Sequence, residues 1–140
     1  MKLNYTTTLQ GATLSPHALE GDVGLDIVAM KVHKKLGART TMYDTGICVQ
    51  PEPGYYTELV PRSSISKTGY MLTNSIGVID PAYSGSLKIV LTRVDDSLPE
   101  LEPPFKVAQL LVRRAEYATL NHVHSLEDTE RGDKGFGSTN

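Results

Sequence analysis

Apolar residues in this chain come in short runs broken by turn-formers, and nowhere do they hold a helical period for three or four turns. Val, Ile, Leu and Tyr dominate the runs, residue types that fit a half-buried pleated surface, while Gly, Pro, Asn and Asp separate them. The pattern predicts strands over 3–8, 24–29, 40–43, 46–49, 55–60, 70–73, 76–79, 87–93, 107–113 and 116–120, spaced as in a barrel or sandwich. One helical turn is expected, over Ser63–Lys67, with Ser63 or Ser64 placed to cap its orphan amides. Pro51-Glu52-Pro53-Gly54 reads as a tight turn, and the acidic, proline-containing stretch 95–104 as a solvated loop. From Ser125 the apolar pattern stops. The expectation is one all-β domain over 1–124 and a flexible polar arm over 125–140.

Length and composition narrow what such a domain can do. At 140 residues the chain can bury an ordinary core without disulfide or metal. Fourteen basic against sixteen acidic side chains leave a formal charge of −2. That balance provides no general basic field for nucleic acid, so a phosphate ligand has to be met by locally placed groups. Cys48, the single cysteine, can form no internal disulfide and has no metal-ligand spacing around it; it reads as a buried thiol in a reducing compartment. The opening Met1-Lys2-Leu3-Asn4-Tyr5 lacks the apolar core of a signal peptide, and no run approaches membrane-spanning length. A soluble protein of the cytoplasm or another intracellular compartment is expected, with no membrane partner.

Five polar segments interrupt the strand pattern. Gly21-Asp22-Val23-Gly24-Leu25-Asp26-Ile27 puts a carboxylate, Asp26, in an apolar frame, either as a strand-edge charge or facing a polar cavity. Pro61-Arg62-Ser63-Ser64-Ile65-Ser66 opens the helical turn; unpaired amides, two hydroxyls and a guanidinium are the parts of a phosphate site, and equally of a capped surface turn. The segment 74–91 places Asp80, Tyr83 and Gly85 between two apolar runs, with Asp80 either folding back on its own backbone or serving a site. Gln109 interrupts the apolar strand Val107-Ala108-Gln109-Leu110-Leu111-Val112, where an unbonded amide costs desolvation, so it closes a core hydrogen bond or reaches a ligand. The last segment runs Arg131-Gly132-Asp133-Lys134-Gly135-Phe136-Gly137-Ser138-Thr139-Asn140: glycines that let a backbone wrap phosphate, cations, hydroxyl donors and one flat aromatic face.

In this order and spacing the five segments resemble the five motifs of the trimeric dUTP pyrophosphatase (dUTPase) family, from about Gly21 to Thr139. Gly77-Val78-Ile79-Asp80 with Tyr83 and Gly85, together with the terminal Gly135-Phe136-Gly137-Ser138-Thr139, carry most of the likeness. The resemblance implies a distorted jelly-roll subunit, a homotrimer with three shared active sites, Mg²⁺, and hydrolysis of dUTP to dUMP and pyrophosphate. It implies that Asp80 activates the water that attacks the α-phosphorus, and that Tyr83 packs flat under deoxyribose and excludes a 2′-hydroxyl. Asn74 and the backbone of Gly77, Val78 and Ile79 would read the uracil edge. Arg62, Ser63, Ser64 and Gln109 would hold phosphates from a neighbouring subunit, and Asp26 would act on the Mg²⁺ side through coordinated water. Arg131, Phe136, Gly137, Ser138 and Thr139 would close over the nucleotide as a lid.

The likeness has departures. Lys134 and Asn140 stand where the family usually has glycine, Arg93 where asparagine is expected, and Val23 replaces a common alanine. His17, His33, His122 and His124 match no motif, and the His122-Val123-His124 spacing reads as surface. Two alternatives accompany this reading. One is a dCTP deaminase-related enzyme of the same fold, disfavoured because 81–87 contains no acid. The other is a nucleotide-binding regulatory protein that retains the fold.

Overall fold

A computed structural model describes residues 1–16 and 19–138; His17, Thr139 and Asn140 lie outside the described residues. Eleven strands and one 3₁₀ helix form in the order β1 Asn4–Thr7, β2 Leu14–Pro16, β3 Leu25–Ala29, β4 Lys31–Lys35, β5 Thr40–Asp44, β6 Ile47–Gln50, β7 Tyr55–Pro61, the 3₁₀ helix Ser63–Lys67, β8 Tyr70–Leu72, β9 Gly77–Ile79, β10 Lys88–Arg93 and β11 Phe105–Arg114. All pairings are antiparallel. They make a five-stranded sheet β2-β3-β11-β7-β9, a four-stranded sheet β4-β5-β10-β8 and a two-stranded ribbon β1-β6.

The strands alternate as a sandwich demands. Ile27, Leu59 and Leu110 of the five-stranded sheet and Ile89, Leu91 and Leu72 of the four-stranded sheet are buried in one core. Tyr43 and Phe105 meet edge-on across it, ring centroids 5.0 Å apart, an arrangement the ring quadrupoles favour. Each fully buried Leu or Ile contributes about 1.5–3 kcal/mol relative to exposure. Gly46 makes one tight joint possible: φ is +68°, and a Cβ there would lie 2.7 Å from the Leu9 Cβ.

Expectation and structure part at the edges. β2 and β4 are strands without an apolar signal. β4, Lys-Val-His-Lys-Lys, is exposed at every position and borders its sheet, where lysines discourage pairing with another chain. Pro16 ends β2, which is likewise an edge, the position where a missing N–H is tolerated. The strand expected over 116–120 does not form: the segment has no ladder partner in this chain, with Tyr117 and Leu120 exposed. The expected cap on the helical turn is not made either. The turn is 3₁₀, its N-cap is Arg62, and no side chain caps it; the Ser66 hydroxyl instead donates to the Ser63 carbonyl at 2.8 Å. Cys48 is only partly buried, because Ile47 and Val49 take the inward positions of β6. Among the described residues, no helix is long and apolar enough to cross a membrane.

Candidate functional site

The turn that leads into β9 is set by Ser75, whose φ is +61°. Its neighbours close a three-residue turn, the Ile76 amide donating to the Asn74 carbonyl at 2.6 Å. The Asn74 side chain folds over β9, its Nδ2 lying 3.2 Å from where a Cβ on Gly77 would be, while the Leu59 Cβ would be 3.3 Å from it. Glycine at 77 therefore lets the Asn74 amide and the neighbouring strand approach the same backbone. β9 borders its sheet, so one row of its peptide groups faces away from β7.

Asp80 follows β9 and is exposed; its carbonyl accepts from the Tyr83 amide at 3.0 Å. The turn reading is met by its backbone, and its carboxylate is exposed at the cavity rim. Asp80, Tyr83, Val78, Ile79, Leu87 and Lys88 line a cavity of about 260 Å³. Tyr83 is 44% exposed. Its ring lies across Gly85, where a Cβ would come within 2.6 Å of the phenol oxygen, and its hydroxyl donates to the Ser86 carbonyl at 2.8 Å. A second cavity, of about 370 Å³, shares Val78 and Asp80 and is walled by Tyr56, Pro81, Arg114, Glu116 and Tyr117. Sequence reading missed that wall. Tyr56 and Arg114 reach it by strand pairing of β7 with β11, which no local pattern announces.

A second group gathers at the other end of β7. Asp26 on β3, Gln109 on β11 and Val60 on β7 stand in register across three strands. The Asp26 carboxylate, its side chain 13% exposed, lies 3.3 Å from Arg62 Nε and 3.4 Å from Lys106 Nζ. Gln109 Nε2 donates to the Pro61 carbonyl at 3.2 Å, which answers the desolvation question raised by an amide in an apolar strand. Ser63 and Ser64 follow Arg62 and are exposed. Lys106 was missed in the sequence, where it is one unremarked cation beside Phe105.

These two groups do not meet within one chain. Ile79, beside Asp80, is opposite Thr57, five residues before Arg62, which is about 17 Å along an extended strand. Nor does the third group join them. Arg131 Nε donates to the Lys134 carbonyl at 2.6 Å, and the Gly135 amide donates to Ser138 Oγ at 2.8 Å. Phe136 (φ +50°) and Gly137 (φ +83°) turn the chain so that the phenyl ring is fully exposed. Thr139, expected alongside Ser138, lies outside the described residues.

No group of three or more His, Cys, Asp or Glu able to hold a metal occurs among the described residues, and His122 and His124 are exposed. Asp26 is the carboxylate that Arg62 and Lys106 approach. That donor set suits a Mg²⁺ ion brought on phosphate oxygens and shared through water rather than a protein cage. Arg93, unexpected at the end of β10, is occupied within its own chain: it donates to the Leu98 carbonyl at 2.8 Å, sits 3.5 Å from Asp96, and lies over the Tyr70 ring at 5.9 Å.

Fold and site together define a two-sheet β protein with an acid-and-tyrosine pocket on a sheet edge. A family model described as dUTPase matches residues 10–140. The chain belongs to the dUTPase family. It is 35% identical over 136 residues to a deoxyuridine 5′-triphosphate nucleotidohydrolase of Beijerinckia indica, covering 93% of this chain and 84% of that one. A protein of the same description from Clostridium kluyveri is 33% identical, with 91% and 90% covered. Among solved structures, a Staphylococcus bacteriophage 80alpha dUTPase mutant with dUpNHpp superposes with a TM-score of 0.81 at 22% identity, over 98% of this chain and 97% of that chain. At that identity the superposition speaks for the fold.

Proposed function

We propose that this chain hydrolyses dUTP to dUMP and pyrophosphate, removing a precursor of uracil in DNA and supplying dUMP. The observation that carries the reading is the placement of Asp80 and Tyr83 on one small cavity at the open edge of β9, in a chain of the dUTPase family. Asn74 and the β9 backbone at Gly77, Val78 and Ile79 read the uracil edge: fixed donors and acceptors reject a base with the reversed pattern, because an unpaired buried polar group is costly. Tyr83 lies under the sugar and leaves no space for a 2′-hydroxyl. Asp80, exposed at the cavity rim, takes a proton from the water that attacks the α-phosphorus in line.

Arg62, Ser63, Ser64 and Gln109 hold the phosphates. Because they stand about 17 Å from the Asp80 end of β7, a complete site draws on more than one copy, and a homotrimer with shared sites follows from the family resemblance. Asp26 would hold Mg²⁺ through coordinated water. When bound, the metal neutralises phosphate charge and fixes the chain of phosphates for attack. The 125–140 segment forms the lid: Phe136 covers the base while Arg131, Gly137, Ser138 and Thr139 grip the terminal phosphate. The decisive experiment is a panel of dUTP, dCTP, UTP, dTTP and dATP with Mg²⁺, read for pyrophosphate and ammonia. Pyrophosphate from dUTP alone is expected; ammonia from dCTP would move the chain to the deaminases.

A further inference from the structure

Lys106 stands at an irregularity in the β3–β11 ladder. Phe105 pairs with Ala29 and Ala108 with Ile27, so β11 advances three residues while β3 advances two. Alternation counted back from Gln109, which is in register with Asp26, would put Val107 and Phe105 on the outer face and Lys106 in the core. Instead Val107 and Ala108 are both buried, and Phe105 packs edge-on against Tyr43. The extra residue of the bulge turns Lys106 out onto the face of Gln109 and Asp26, where its ammonium lies 3.4 Å from Asp26 Oδ2.

The same bulge holds Arg62. The Arg62 amide donates to the Val107 carbonyl at 2.8 Å, and its guanidinium Nε lies 3.3 Å from the other oxygen of the carboxylate, Asp26 Oδ1. One half-sheltered carboxylate thus stands between two cations, one from β11 and one from the end of β7. Among these three side chains positive charge is in excess. The Lys106 side chain is 43% exposed. An ammonium carries three N–H donors and a guanidinium five, so the contacts to Asp26 leave donors on both heads for an anion.

We propose that Lys106 is a phosphate-binding residue of the dUTP site: turned outward by the bulge and held beside Arg62 through Asp26, its ammonium contacts the phosphate oxygens of the substrate directly. The inference rests on the dUTP reading given above. A lysine that served only the fold would affect stability alone, and weakly, since a partly exposed ion pair contributes little. A lysine that acted only through Asp26 would matter to nucleotide binding only while Mg²⁺ is present.

The test measures the Kd of dUpNHpp, an imido analogue of dUTP, for the full chain by calorimetry, once with Mg²⁺ and once in EDTA. Wild type is compared with Lys106→Met, Lys106→Arg, Asp26→Asn and the Asp26→Asn/Lys106→Met double variant. Lys106→Met raises Kd about 10-fold in both conditions and weakens the dependence of Kd on salt, because one charge-assisted contact is lost. Lys106→Arg keeps most of the affinity. In the Asp26→Asn background the Lys106→Met loss persists in EDTA, since the contact is to phosphate and not to the carboxylate. A wild-type Kd in Lys106→Met, a loss confined to Mg²⁺, or a loss abolished by Asp26→Asn overturns the inference. Should Lys106→Met fail to fold, Lys106→Gln, which keeps a polar head at this exposed position, is read in the same way. Failure of the functional reading is seen separately, as a wild-type chain that neither binds dUpNHpp nor turns over dUTP, and takes this inference down as well.

Discussion

Two stretches that carry groups of the candidate site, 74–87 and 125–138, differ in composition and in fold: the first is half apolar, the second mostly charged and polar. The first contains β9 and leads into β10, and its turns are held by the Ser75 backbone, the Gly85–Tyr83 contact and the Leu87 hydrogen bonds to Thr45 and Ile47. Among the described residues, the hydrogen bonds of the second run within itself, between residues three apart, and Phe136 is fully exposed. The difference lies in what closes each segment. A loop tied at both ends to sheet strands loses its conformational freedom on folding, whereas a tail with no apolar anchor has less to hold it in one conformation. In the proposed mechanism, chemistry that needs preset geometry, the Asp80–Tyr83 pair, falls on the first, and closure on the second.

The strongest way to break this comparison is at its fixed end. Asp80→Asn should lower kcat on dUTP by at least about 10²-fold while leaving dUTP binding nearly intact; near-normal turnover removes Asp80 from water activation. Next comes truncation before Arg131, which should cut hydrolysis by about 10²-fold with no change in melting temperature, since none of residues 131–138 belongs to the core. A truncated chain with full activity means that the tail is not a lid, and a lowered melting temperature means that it is not free. Gly85→Ala puts a methyl 2.6 Å from the Tyr83 hydroxyl oxygen, so the ring must move. A fall of about 10-fold in dUTP kcat/KM is expected with folding preserved. Equal kinetics in that variant would show that the ring position is not critical.

The smallest effect probes the sheet behind the fixed loop. Tyr43 pairs with Ile89 across β5 and β10, and burial raises its phenol above the ordinary value of 10.0; Tyr70, Glu100 and Glu102 add to this and a hydrogen bond with Thr41 opposes it. A raised phenol stabilises the fold fully below its ordinary value, and that stability is lost as pH rises through the higher folded-state value. Unfolding measured against pH should therefore show a decline from about pH 10 upward in wild type. Tyr43→Phe should flatten that decline, and an identical slope would mean that other groups cause it.

Much of this was readable along the chain. The inward-facing strands were legible because alternating apolar residues at Leu25–Ala29, Tyr55–Pro61 and Phe105–Arg114 report a face that meets a core. Gly77, Asp80, Tyr83 and Gly85 were legible as a turn with chemistry in it, and Gln109 as an amide that needed a partner. β2 and β4 were not, because an edge strand with both faces wet has no hydrophobic signature. The strand expected over 116–120 failed for the converse reason: its residues favour extension, but a ladder needs a neighbour, and none stands there among the described residues.

The chain by itself therefore determined the all-β class, the turns and the chemical groups of each segment, since these depend on local periodicity and residue type. Tertiary structure decided which groups share a site. It gave Asp26 to Arg62 and Lys106, and gave the Gln109 amide to the Pro61 carbonyl. Those partnerships span strands distant in sequence, and strand register, not spacing along the chain, brings them within hydrogen-bonding reach.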